Sequence, residues 1–163
     1  MPKINGVDIM RCRHLYEIVS PKTNVYYMVW VEEYVGNFFA IKFHLRKDKK
    51  NQNKYSVLSG LFEARPIIIS CLTLLAQIAK ANDNSSFGFI GAGMPGDSEL
   101  INTKRYRVYK RFVSTFVSEE LFEHHFLPKK SAYLLVRKKT LEENPNYLKE
   151  LFSKFTETYP LLG

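Results

Sequence analysis

Three clusters of residues in this chain have types and spacings that can do chemistry. The first is Gly91-Ala92-Gly93-Met94-Pro95-Gly96, which has G-x-G-x-x-G spacing and directly follows the apolar stretch Phe87-Gly88-Phe89-Ile90. Glycines at that spacing let bare backbone N–H groups meet a pyrophosphate at the start of a helix. Asp97 and Glu99 would repel those phosphates, and too little chain follows Gly96 for the rest of a dinucleotide domain and a substrate site. A glycine turn between strand and helix is the simpler reading, with a nucleotide at Gly91–Gly96 as the weaker one. The second cluster is Glu119, Glu120, Glu123, His124 and His125. Adjacent histidines point to different faces of a helix or strand, although Glu120 and His124, four apart, suit one ion. The expectation is a surface loop and no metal. The third cluster is Lys104, Arg105, Arg107, Lys110 and Arg111, five cations within eight residues. On a helix Lys104, Arg107 and Arg111 share one side, which can meet a nucleic-acid backbone, with Lys129, Lys130, Arg137, Lys138 and Lys139 enlarging the patch. A solvated helix face is the plainer alternative.

Other reactive residues are sparse. Cys12 and Cys71 are too few for a zinc spacing, and Cys71 lies in an apolar run as a small core residue would. Ser56, Ser59 and Ser70 lack an elbow motif, and no Ser-His-Asp, Cys-His or P-loop arrangement is visible. His44, next to Phe43 on a β-type stretch, reads as structural.

The elements that must position these residues follow from periodicity and turn chemistry. Residues 25–35 are β-branched and aromatic, Gly36-Asn37 is a turn pair, and 38–46 alternate at their end, which together predict a hairpin. Residues 9–19 fit a strand or a short helix. Residues 47–54 form a solvated loop, and 55–60 a third short strand. Pro66 suits the first turn of a helix running to about Ala81, stopped by Asn82-Asp83-Asn84. Residues 86–90 are a fourth strand. Asn102 or Thr103 caps the next helix, with Tyr106, Tyr109, Val113 and Phe116 on one face, while 113–117 fit a strand as well. Residues 131–137 are a strand, and Asn144-Pro145 starts a helix that puts Leu148, Leu151, Phe152, Phe155 and Tyr159 on one face. Strands early and then alternating with helices predict one α+β domain over 1–163, a mixed, mostly antiparallel sheet flanked by helices.

Composition bounds the rest. A chain of 163 residues, 45% hydrophobic and 14% aromatic, has the apolar surface to fold and is not a disordered tail. Its formal charge of +8 suits an anionic partner: nucleic acid, a nucleotide-bearing cofactor or an acidic surface. The longest apolar run, 67–79, falls short of the ~20 residues that cross a bilayer. No apolar leader follows Met1, so the expectation is no membrane segment, no signal peptide, reduced thiols and a cytoplasmic location.

One stretch is more specific. Asn102-Thr103-Lys104-Arg105-Tyr106-Arg107-Val108-Tyr109 lies on a helix that follows a buried strand (87–90) and a long helix (66–81), with a closing strand pair read as 113–117 and 131–137. In this order residues 26–137 resemble the GNAT superfamily, the acetyl-CoA-dependent N-acyltransferases. The stretch is similar to that family's late-helix pattern Asn-x-x-Ala-x-x-Leu-Tyr. Asn102 and Tyr109 match it, Val108 stands for the Leu, and Arg105 replaces the Ala. The resemblance implies a divergent N-acyltransferase that moves an acyl group from acetyl-CoA directly to a small amine. Tyr109 would be the general acid towards the leaving thiolate, since a phenol with pKa near ~10 keeps its proton at neutral pH. Glu32, Glu33 and Glu63 are the carboxylates near the hairpin that could act as base. Where the family has an Arg or Gln, then Gly-x-Gly or Gly-x-Ala, to bind pyrophosphate, this chain has Gly60-Leu61-Phe62-Glu63-Ala64-Arg65-Pro66. Arg65 and Asn102 are the cofactor-binding residues the resemblance leaves. The alternative is a non-enzymatic binding module whose basic face, Lys104, Arg107, Lys110 and Arg111, meets nucleic acid or a protein partner.

Overall fold

Strand-forming residues on either side of a Gly-Asn turn set the first half of the sheet. In the computed structural model, which describes residues 3–4, 7–8, 10–52, 64–90, 104–128 and 132–158, β4 (Tyr26–Tyr34) pairs antiparallel with β5 (Phe38–Leu45). Gly36 and Asn37 between them have φ of 90° and 57°, a left-handed conformation that these two residue types accept at low cost. Residues 10–19, which fit two readings by sequence, are β3 (Met10–Val19), antiparallel to β4 with a bulge between Met10 and Cys12. Two further two-residue strands, β1 (Lys3–Ile4) and β2 (Val7–Asp8), pair only with each other.

The second half is joined to the first by a parallel pairing. Helix α1 (Ala64–Ala81) leads to β6 (Ser86–Ile90), which pairs parallel with β5 from Phe38↔Ser86 to Ile41↔Phe89. A parallel connection needs a crossover of a dozen residues or more, and α1 lies within it. Helix α2 (Lys104–Phe116) is followed by β7 (Phe122–Leu127) and β8 (Ala132–Arg137), and then α3 (Lys138–Glu143) and α4 (Tyr147–Thr158). β8 lies between β6 and β7, antiparallel to both, so the sheet order is β3-β4-β5-β6-β8-β7. The result is a single α+β domain with a mixed, mostly antiparallel six-stranded sheet and helices packed on it.

Three expectations need correction. Residues 113–116 close α2 instead of forming a strand, and Phe116 is 55% exposed rather than in the core. The closing pair is β7–β8, so the Glu/His cluster reaches into an edge strand rather than lying wholly in a surface loop. Its alternation of buried Phe122, exposed Glu123 and half-buried His124 is that of a strand with one wet side. The last helix starts at Tyr147, after the separate short helix α3. The strand expected at 55–60 lies outside the described residues.

The middle of the sheet is buried on both faces. Val31, Ile41, Phe87 and Leu135 pack with Ile67 and Leu75 of α1 and Tyr106 and Val113 of α2. On the other face Ala40, Leu134 and Val136 meet Tyr147 and Leu151 of α4. All six residues of β8 are buried, which is why Ala132–Val136 read as an unbroken apolar run. On the α4 side Gly88 leaves room for the Phe38 ring: a Cβ there would lie 2.5 Å from Phe38 Cζ and 3.3 Å from Leu134 Cδ2. Phe38 is itself buried, so it cannot swing clear. Gly88→Ala is therefore expected to destabilise the protein by about 1–3 kcal/mol in urea unfolding, the cost of overpacking a filled core.

Candidate functional site

The parallel pairing stops at Ile41↔Phe89, while β5 runs on to Leu45. In open sheets with parallel strands, ligands usually bind outside the carboxyl ends of the strands. Tyr109 of α2 lies at the last pair of that register, its ring centroid 6.0 Å from Phe43 of β5 and 6.2 Å from Phe89 of β6. With Ile41, Ile68, Cys71 and Val113 these rings line a cavity of about 10 Å³, room for one water. Tyr109 is 7% exposed and belongs to the buried stripe of α2 with Tyr106 and Val113. Burial pushes the neighbouring Cys71 thiol up to about 12, so it is an uncharged core group, as its place in the apolar run suggested.

Arg65 is exposed in the first turn of α1, three residues before the cavity-lining Ile68. Three residues of helix rise ~4.5 Å, so the positive end of α1 opens next to the Tyr109 cavity. No acidic residue lies in that first turn. Asn102, Glu63 and Gly91–Gly96 lie outside the described residues.

The basic helix is exposed where expected. Arg107, Lys110 and Arg111 point away from the buried stripe, and Lys110 Nζ sits 4.6 Å from the centre of the Phe126 ring on β7. Lys104 opens the helix. Arg137, expected to enlarge the patch, is instead 8% exposed, 4.9 Å over the Phe122 ring and 3.7 Å from Asp83. Lys139 also reaches Asp83, at 3.7 Å. Lys129 and Lys130 lie outside the described residues.

The carboxylates near the hairpin divide sharply. Glu32 is 2% exposed and accepts from Arg13 at 2.6 Å, Lys42 at 2.8 Å and the Tyr34 hydroxyl at 2.7 Å. Burial alone would raise its pKa, but the Lys42 charge and the hydrogen bonds from Lys42, Tyr34 and Arg13 outweigh burial and hold it below the usual carboxylate range. With both oxygens engaged, Glu32 is a structural anion rather than a base. Glu33 points to the opposite face, that of Val29 and Val31, and accepts from the Cys12 thiol at 3.0 Å. His14 Nε2 is 3.1 Å from the same sulfur and 3.9 Å from Glu33 Oε2. The Glu33 hydrogen bond, burial and the Glu33 charge all raise the Cys12 pKa, so the thiol keeps its proton. This cluster was missed by the sequence reading. Its only local signal is Cys12-x-His14, meaningful only once the segment is known to be a strand.

Two histidines are structural. His44 is buried, accepts from Trp30 Nε1 at 3.1 Å through Nε2, and so donates through Nδ1 to the Leu45 carbonyl at 2.8 Å. His124 shares a short hydrogen bond with the buried Tyr133 hydroxyl. Burial lowers the His124 pKa and raises that of Tyr133, so both stay neutral at pH 7.

No family model, curated protein or solved structure matches this chain. No helix among the described residues is long and apolar enough to cross a membrane.

Glu32→Gln leaves Lys42 and Arg13 facing a neutral amide. A loss of about 2–4 kcal/mol at pH 7 is expected, towards the lower part because Arg13 is half-exposed. Because the folded pKa of Glu32 is lowered, its contribution is full above the ordinary carboxylate range and is lost as pH falls through the folded value. Wild type and variant should therefore converge in stability in acid; a constant gap from pH 7 to pH 3 would show that the charge is not responsible.

Proposed function

We propose that this protein is a divergent acetyl-CoA-dependent N-acyltransferase of the GNAT kind, acting on a small amine with Tyr109 as general acid. The observation that carries this reading is the place of Tyr109, against Phe43 and Phe89 at the last pair of the β5–β6 parallel register, in a cavity it shares with Ile68 near the start of α1. The element order supports it too: three antiparallel strands, a long helix, a parallel strand, the Tyr109 helix and a closing strand pair.

The residues present suit such a cofactor. The first turn of α1 has backbone N–H groups without intrahelical partners, an exposed Arg65 and no acid, so it favours phosphate. Pro66 removes one of those donors, which leaves more of the task to Arg65. Acetyl-CoA would supply the activated thioester. The apolar walls Ile41, Phe43, Ile68 and Phe89 keep water from that group, and Tyr109 holds a proton at Oη for the departing sulfur. At about 10 Å³ the cavity is smaller than an acyl group, so half-buried Phe43 has to yield on binding. Asn102 is the second cofactor-binding residue proposed. A second reading rests on the exposed Arg107, Lys110 and Arg111, which with Lys104 fit an anionic macromolecule.

Acetyl-CoA binding only the folded state should raise the melting midpoint, and Arg65→Ala should weaken that response. Tyr109→Phe should keep the response and lower thiol release with a panel of small amines by about 10²–10⁴-fold, the range of a lost general acid. No shift at roughly millimolar acetyl-CoA, a level that detects even weak binding, would overturn the reading. A shift with a short DNA duplex that disappears in salt would favour the second.

A further inference from the structure

We propose that Cys12, His14 and Glu33 form a three-ligand zinc site at the β3 edge of the sheet, with a fourth position open to solvent. The bulge in β3 sets the site. Met10 pairs with Tyr34, so in unbroken register Cys12 would face Glu32; the extra residue, Arg11, moves Cys12 opposite Glu33 instead. Bulges commonly re-aim a side chain in this way beside functional sites. Strand alternation then puts His14 on the same face as Cys12, while Arg13 turns to the other face and is held by Glu32. One inserted residue thus separates a thiol, an imidazole and a carboxylate from the structural ion pairs of Glu32.

The distances suit a small tetrahedral ion. Around zinc, with bonds of ~2.0–2.3 Å, ligand atoms lie roughly 3.4–3.6 Å apart. Here Sγ–Nε2 is 3.1 Å, Sγ–Oε2 is 3.0 Å and Nε2–Oε2 is 3.9 Å, so shifts of about half an ångström bring all three into place. Among the described residues no other set of three His, Cys, Asp or Glu groups is close enough to share an ion. The ligand chemistry selects the metal: a thiolate and an imidazole favour zinc over magnesium or calcium. The cation would replace the Cys12 proton, which passes to water, and the thiolate and Glu33 would together neutralise its charge. His14 has 51% of its side chain exposed, so the fourth ligand position faces solvent. Three protein ligands and one open position are the pattern of zinc that binds water or a substrate rather than zinc that only braces a fold.

The test uses the full chain, freed of metal by chelator and titrated with Co2+ as a spectroscopic probe and then with Zn2+ in competition. One Co2+ per chain should bind, with tetrahedral visible bands and a thiolate charge-transfer band that Zn2+ abolishes. Cys12→Ser should remove the charge-transfer band. His14→Ala, at an exposed position that leaves the fold intact, and Glu33→Gln should each weaken Zn2+ binding at least about tenfold, the loss seen even for outer-shell partners. An octahedral cobalt spectrum, or a charge-transfer band that persists in Cys12→Ser, would overturn the site. So would metal binding unchanged in His14→Ala, which would move the ion elsewhere, for instance to His125 and Glu123, 2.7 Å apart.

Discussion

Four consecutive residue pairs, Phe38↔Ser86 to Ile41↔Phe89, join two otherwise antiparallel halves of the sheet. Every other strand pairing in the sheet is antiparallel. An antiparallel strand can return through a tight turn, but a parallel one must be carried back to its starting end, and α1 lies on that path. The short parallel register therefore requires a crossover between β5 and β6, and α1 supplies it. It also sets where Tyr109 meets them. The end where β6 begins is tied by polar contacts: Ser86 N–H donates to the Asn37 carbonyl at 2.9 Å, and Asn82 Nδ2 to Asn37 Oδ1 at 3.1 Å. The Tyr147 hydroxyl donates to the Gly36 carbonyl at 2.7 Å and fastens α4 to the same turn. One end of the pair is held, and next to the other lies the small apolar cavity beside Tyr109.

Charge is divided along the same lines. The excess of eight positive charges suited an anionic partner, with Lys129, Lys130, Arg137, Lys138 and Lys139 expected to enlarge the basic face of 104–111. Instead Arg13 and Lys42 neutralise the buried Glu32, and Arg137 turns inward over Phe122. What remains outward on the described helix α2 is Arg107, Lys110 and Arg111. A cation on an inner strand is paired because leaving it alone in a low-dielectric interior would cost far more than the pairing geometry does.

The fold was legible where a local signal was strong. The Gly36-Asn37 hairpin, the Pro66 helix, the strand at 86–90 and the strand at 132–137, apolar up to Val136, are each marked by a turn residue, a helix-starting proline or an apolar run. The edges were not. Phe122-Glu123-His124-His125-Phe126-Leu127 alternates weakly, because an edge strand needs only one dry face, so its acids and imidazoles hid the period. Residues 113–117 are β-branched enough for a strand, but the turn of helix before them continues, and Phe116 is left in solvent. Tyr109 was legible as part of a helical stripe. Its position against Phe43 of β5 and Phe89 of β6 was not, since no periodicity states which strands a helix lies on.

By itself the sequence determined the strongly marked elements and their order, because turn chemistry and hydrophobic period act within a few residues. It also pointed to Cys71 as an interior group, since it sits in an apolar run, and to His44 as structural beside Phe43. Only the tertiary structure decided which carboxylate does what. Glu32 and Glu33 are neighbours of identical chemistry, and strand alternation sends one to a buried ion pair and the other to Cys12 and His14. The register of β3 on β4, shifted by a single bulged residue, makes that choice. A register is a relation between distant segments, set by how whole faces pack, and no local pattern of residues carries it.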